Sequence, residues 1–316
     1  MKAAIITSFD QPPHYGDFAE PVPQGRGELE VEVLAAALHH LTMAKATGKH
    51  YSGNATLPLV PGVDGVGRDP SGKLRYFVLE DTPLGSLAQR TLIDPRRSLV
   101  LPRDSDPVTI AAAMNPGMAA WLALRCRVPF KKKQQVLILG ATGSAGLMAV
   151  QVARHLGASK VVAAGRNEKR LATLAELGAT DVVGLDDPRI GEVSREVDVV
   201  LDFVWGEVGA RVMDRVVRAR TDRSQVLTWV EIGSMAGPTA PVPAELLRAA
   251  KLQIVGSGIG SVPGREIVEE LPSLVKQITR GALRIDVDER PLAEVQQAWT
   301  DAATSVDRIV LTPRHP

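Results

Sequence analysis

The chain has 316 residues, 45% of them hydrophobic, and a formal net charge of +1. A chain of this length can bury one large core or two ordinary ones, and usual domain sizes favour two. The balanced charge lacks the basic excess that a nucleic-acid or anionic membrane partner calls for, and the single cysteine, Cys126, excludes an internal disulfide framework and a four-cysteine zinc site.

In chain order, MKAAIITSFD turns polar too soon for a signal peptide and reads as a first strand, which leads us to expect a cytoplasmic protein. Strand-like runs at 28–38, 62–79 and 86–93, punctuated by Pro and Gly, make the first third β-rich. Between 106 and 124 the pattern predicts a helix with Asp106 as cap and Pro107 at its first position, broken at Asn115, Pro116 and Gly117. From Gln135 the texture changes. Strands at 136–140, 161–164, 197–204 and 225–233 alternate with helices, of which 144–157 and 168–177 are the clearest. This alternation predicts an α/β fold, a doubly wound parallel sheet with helices on both faces. A helix at 265–281, a short strand, a helix from Leu292 to Ala303 and the strand RIVLTP are too few for a third domain. We expect them to complete the first, dividing the chain into 1–115 with 265–316 and an intervening 116–264.

The most informative stretch is VLILGATGSAGLMAVQVARHLG, residues 136–157. Gly140, Gly143 and Gly146 are spaced three apart between a strand and a helix. The first suits a tight turn, the second clears room for a pyrophosphate against backbone, and the third allows close packing of helix on strand. The helix start then offers open N–H groups to phosphate. Gly140, Thr142, Gly143, Ser144, Ala145 and Gly146 are therefore expected to hold a dinucleotide. At the end of the next strand an NAD site usually has Asp or Glu, whereas this chain has Gly165, then Arg166, Asn167, Lys169 and Arg170. Missing acid and added cations suit a 2′-phosphate, so NADPH is the expected cofactor. The alternative is that Lys169 and Arg170 are solvated helix residues and only Arg166 touches the nucleotide.

GATGSAGLMAVQVARHLGA, AAGRN, VDVVLDFV, the early PGVDGVG and the later GSLAQR together resemble the zinc-independent quinone oxidoreductase branch of the medium-chain dehydrogenase/reductase superfamily. The resemblance covers nearly the whole chain. It implies a discontinuous GroES-like substrate domain, a Rossmann domain and a cleft active site. It also implies cofactor contacts from Ile232, Gly233, Ser234 and Ser257, and a homodimer formed where KLQIVGSGIG extends the sheet.

The zinc alcohol dehydrogenases of the same superfamily have Gly-His-Glu where this chain has Gly62, Val63 and Asp64, and their catalytic cysteine falls near His39. A second cysteine ligand has no counterpart. His39 and His40, read as neighbours on a strand, point to opposite faces, so no metal is expected. Metal-free hydride transfer suits quinones and α,β-unsaturated carbonyls, which spread the incoming charge by resonance. His39 and Tyr51 are the candidate catalytic residues, with His40 and Thr42 beside them. His39 stands where the resemblance places asparagine, and its alternative role is packing. Trp121 and Trp205 are read as core or, at most, as walls of the site. An enoyl reductase of one biosynthetic step and an NADPH-binding protein without turnover are the competing functions.

Overall fold

The protein is described by a computed structural model covering residues 1–23, 25, 27–48, 56–79, 82–258 and 260–313. The first elements are β1 (Lys2–Ile5), β2 (His14–Asp17), β3 (Leu29–Ala37), α1 (His40–Ala46), β4 (Asp64–Arg68), β5 (Leu74–Val78), β6 (Arg90–Ile93) and β7 (Ser98–Val100). After α2 (Pro107–Leu122) come β8 (Gln135–Leu139), α3 (Ser144–His155), β9 (Lys160–Gly165), α4 (Glu168–Thr173), β10 (Asp181–Gly184) and α5 (Ile190–Val193). Next are β11 (Val199–Asp202), α6 (Gly206–Ala219), β12 (Leu227–Glu231), α7 (Ala244–Ala249) and β13 (Leu252–Gly256). The chain closes with α8 (Gly264–Thr279), β14 (Val287–Pro291), α9 (Val295–Asp301) and β15 (Arg308–Thr312).

These elements form two compact units, Met1–Asn115 with Val268–Pro316, and Pro116–Ile267. In the first, β3 pairs antiparallel with β4, β6 and β15, and β14 adds in parallel to β15, so the C-terminal segment is woven into the N-terminal sheet. Alternation along β3 explains the pairing. Val31 and Val33 are buried on one face and join a core with Phe77, Leu87, Val295 and Leu311.

The second unit is a six-stranded parallel sheet in the order β10-β9-β8-β11-β12-β13. Its central strands read as near-continuous apolar runs because both faces are covered, and Val136–Leu139, Val161–Ala164 and Val199–Leu201 are all buried. Strand order reverses direction between β8 and β11, creating the crevice at the carboxyl ends where such sheets take ligands.

Two expectations are corrected. The helix does not break at Asn115–Gly117. α2 continues through Pro116, because Ile110–Met114 before it and Ala120–Trp121 after it are buried. That burial outweighs the roughly 3 kcal/mol cost of an interior proline. His39 and His40 are not on a strand: β3 ends at Ala37, His39 caps α1 and His40 is its first residue. β10 and α5, only four residues each, are too short to carry a periodic signal in the sequence.

Candidate functional site

The glycine turn is built as its spacing suggests, and each glycine has a separate reason. Gly140 has φ +83°, a left-handed conformation strained for any side chain. A Cβ on Gly146 would lie 2.2 Å from the Gly140 carbonyl oxygen, so α3 can approach the turn only without one. Gly143 differs. A Cβ there would meet only the Gly140 oxygen at 3.5 Å, an ordinary contact, and its φ of −84° suits any residue. Nothing among the described residues requires glycine at 143, which leaves the space in front of it for a ligand. The N-cap residue, Gly143, has no side chain to cap α3, whose first turn therefore presents N–H groups beside that space. The turn and helix start fit the pyrophosphate of a dinucleotide.

At the end of β9, Gly165 is buried, and a Cβ on it would stand 2.5 Å from Thr142 Cγ2 and 2.9 Å from Thr142 Oγ1. A side chain at the position usually held by a ribose-binding acid would therefore require Thr142 to move. Arg166, Asn167 and Lys169 are exposed beyond it, and Asn167 caps α4 by accepting the Arg170 N–H at 3.1 Å. Arg170 Nη1 donates to the Thr142 carbonyl oxygen at 2.5 Å, tying α4 to the glycine turn. The cationic group therefore has two parts: Arg166 and Lys169 face solvent, and Arg170 braces the turn.

On the other side of β8, the carboxyl ends of β11, β12 and β13 bring together Asp202–Trp205, Ile232–Ser234 and Ser257. The Ile232 and Gly233 N–H groups donate to the Asp202 carbonyl at 2.8 and 3.2 Å, and the Ser257 N–H to the Glu231 carbonyl at 2.8 Å. Asp202, absent from the sequence reading, organises this end. Its Oδ1 accepts the Val204 and Trp205 N–H groups at 2.8 and 2.9 Å, and its Oδ2 accepts Trp229 Nε1–H at 2.8 Å. Burial raises its carboxyl pKa, against these three donors, which favour the charged form. The sequence signal was only an acid closing an apolar strand.

The first unit contains a separate buried polar cluster. His39 Nε2 lies 2.9 Å from Asp64 Oδ1, its Nδ1 accepts the Thr42 N–H at 3.3 Å, and Tyr76 donates its hydroxyl to Asp64 Oδ2 at 2.7 Å. With Nδ1 accepting, Nε2 carries the proton of the neutral ring and donates it to Asp64. Burial lowers the His39 pKa, opposed by the Asp64 charge, while it raises that of Tyr76. Arg308, 8% exposed, is pushed down to about 10 by burial. His40 is exposed, yet loss of water around its ring and the nearby charges of Arg308 and His39 also lower its pKa. Tyr51 lies outside the described residues.

Among the described residues no group of three or more His, Cys, Asp or Glu side chains is placed to hold a metal ion. His39 and Asp64 face each other rather than a shared third point, so the cluster does not fit a catalytic zinc with three protein ligands.

A discontinuous chain with a Gly-rich β-α turn at a parallel sheet's switch point defines the class: a two-unit, dinucleotide-binding α/β protein. The family described as zinc-binding dehydrogenase matches residues 145–279. The protein named "Probable NADPH-dependent quinone reductase" of Emericella nidulans is 30% identical, over 99% of this chain and 100% of that one. The chloroplastic NADPH-dependent alkenal/one oxidoreductase of Arabidopsis thaliana is 28% identical over 56% of this chain and 50% of that one. Among solved structures, the quinone oxidoreductase of Thermus thermophilus, also determined with NADPH, superposes with a TM-score of 0.84 at 25% identity, covering 99% of this chain and 100% of that one. The chain belongs to the quinone oxidoreductase branch of the medium-chain dehydrogenase/reductase superfamily.

Proposed function

We propose that the protein is an NADPH-dependent oxidoreductase that reduces quinones or α,β-unsaturated carbonyl compounds without a catalytic metal. The observation that carries this reading is the pairing of a ligand-ready turn at Gly140–Gly146 with a β9 end that has a glycine packed on Thr142 in place of an acid, followed by exposed Arg166 and Lys169. The kinship to an NADPH-dependent quinone reductase along the whole chain supports it.

When bound, NADPH supplies a hydride to the acceptor. The first turn of α3 binds the pyrophosphate, Arg166 and Lys169 the 2′-phosphate, and Ile232–Ser234 with Ser257 flank the other half of the dinucleotide. His39 acts as a positioning residue. Its one ring proton goes to Asp64 and its free nitrogen accepts from Thr42, so it holds the start of α1 rather than presenting an acid. The proton that completes reduction then comes from solvent, which suffices for a resonance-stabilised anion.

Two copies pair along β13, the edge strand of the six-stranded sheet, where Ile254 is 37% exposed. Light scattering on wild type and Ile254→Arg tests this: a dimer converted to monomer is expected, and a wild-type monomer refutes it.

The deciding experiment follows NADPH and NADH oxidation with a panel of quinones and enones. Turnover with NADPH and several acceptors is expected. Strong preference for one enone would favour a single-step enoyl reductase, as the alkenal/one oxidoreductase likeness allows. Tight NADPH binding with no turnover would leave a binding protein.

A further inference from the structure

Trp205 has φ +51° and ψ −151°. That combination is open to glycine and close to forbidden for a bulky side chain, and such backbone persists only where the surroundings impose it. Here they do. Asp202 Oδ1 accepts the N–H groups of Val204 and Trp205, and the Val204 carbonyl accepts the Ala236 N–H at 2.7 Å. On the turn side, a Cβ on Gly140 would lie 3.2 Å from Val204 Cγ2 and 3.4 Å from Phe203 Cβ, so the segment abuts the glycine turn itself.

Strand order says which half of a dinucleotide passes this point. The pyrophosphate belongs at the β8–α3 turn and the adenosine ribose at the end of β9. β11 lies on the opposite side of β8 from β9, so the nicotinamide half runs toward β11 and β12. Trp205 follows Val204, which faces the turn there; its side chain is half-buried, packed in part against the apolar core of this unit and in part open to solvent.

We propose that Trp205 is a cofactor-contacting residue: its indole, aimed by a glycine-type backbone that Asp202 holds, walls the nicotinamide side of the crevice. A tryptophan retained where glycine would relax the chain fits a face used by a ligand, since a flat aromatic surface covers a ring at small cost in side-chain freedom. This rests on the proposed NADPH reading.

The test uses the whole protein and two variants, Trp205→Gly and Trp205→Phe. Titration of wild type with NADPH, exciting tryptophan and reading the emission of the reduced nicotinamide, should give sensitised emission. Trp205→Phe should lose a measurable part of it, the remainder coming chiefly from Trp229, whose indole is bonded to the same Asp202 carboxylate. Trp205→Gly should weaken NADPH binding about 10-fold while its thermal midpoint without cofactor is kept or raised, because strain is relieved. Full sensitised emission in Trp205→Phe, or wild-type affinity in Trp205→Gly, would overturn the proposal alone. A wild type that binds no nicotinamide dinucleotide would overturn it together with the proposed function.

Discussion

His39 and Asp64 occupy each other: the ring proton on Nε2 and the carboxylate oxygen Oδ1 are joined across 2.9 Å in a setting where both side chains are almost fully buried. Removing the ring leaves the Asp64 carboxyl with the Tyr76 hydroxyl as its side-chain hydrogen-bond donor among the described residues. His39→Ala should cost about 2 kcal/mol of stability, a hydrogen bond to a buried charged group plus a helix cap. His39→Asn should cost less, since asparagine caps helices well and its amide can donate. The acid side gives the sign. The His39 pKa is lowered from 6.5 in the folded protein, so the unfolded chain takes up the proton first as pH falls. Stability is complete above about 6.5 and declines below it until the folded pKa is reached. His39→Asn should flatten that decline only in part, because His40 is shifted the same way. Urea unfolding of both proteins at pH 7.5 and 5.5 checks it, and equal slopes would mean that His39 is not titrating as described.

Gly143 and Gly146 should fail in opposite ways. Gly146→Ala drives a methyl group to 2.2 Å from a carbonyl oxygen, and should lower stability by roughly 3 kcal/mol with a visible drop in thermal midpoint. Gly143→Ala meets nothing closer than 3.5 Å, so the midpoint should hold while NADPH affinity falls at least 10-fold. Scanning calorimetry and a binding titration separate the two. Should Gly143→Ala bind NADPH normally, the turn is structural and no phosphate sits there.

The contrast shows what the sequence could reveal. Glycine spacing, apolar strands and the alternation of elements are local signals, so β8, α3 and β9 were legible to within two residues of their ends. Pairings across distance were not. Nothing near Asp64 announces Tyr76, twelve residues on, or His39, twenty-five before it. Gly165 was read through the acid it lacks, whereas Thr142, from a different strand end, is what keeps it glycine. Pro116 looked like a stop because the burial that carries α2 through it is set by the fold.

The donor set bears on metal dependence. With His39 and Asp64 turned to each other and no third ligand beside them among the described residues, prolonged dialysis against a strong chelator should leave quinone reduction unchanged. Loss of turnover restored by zinc, and not by magnesium, would reinstate a catalytic metal.

Cofactor choice should be decided at residue 166 rather than 165. Placing a ribose-binding acid at Gly165 would force a side chain to within 2.5 Å of Thr142 Cγ2, so Gly165→Asp should lose stability before it changes preference. Adding Thr142→Ala should recover part of the loss. Arg166 has room because it is exposed. Arg166→Ala removes one charge-assisted contact to a 2′-phosphate, and in so open a position the cost should fall near the low end of about 1.5–3 kcal/mol, or roughly 10-fold in NADPH binding. NADH, lacking that phosphate, should be little affected. Lys169 is left to hold part of the affinity, while Arg170 is committed by its 2.5 Å bond to the Thr142 carbonyl. Arg170→Ala should therefore loosen the turn and weaken both cofactors together. Arg166→Asp goes further than Arg166→Ala, since its carboxylate repels the phosphate and can accept from the ribose hydroxyls of NADH. The measurement is the ratio of kcat/KM with NADPH to that with NADH, at fixed ionic strength because the contact is screened. It should fall stepwise from wild type to Arg166→Ala to Arg166→Asp, and a wild type preferring NADH, or three equal ratios, would remove the 2′-phosphate from this site.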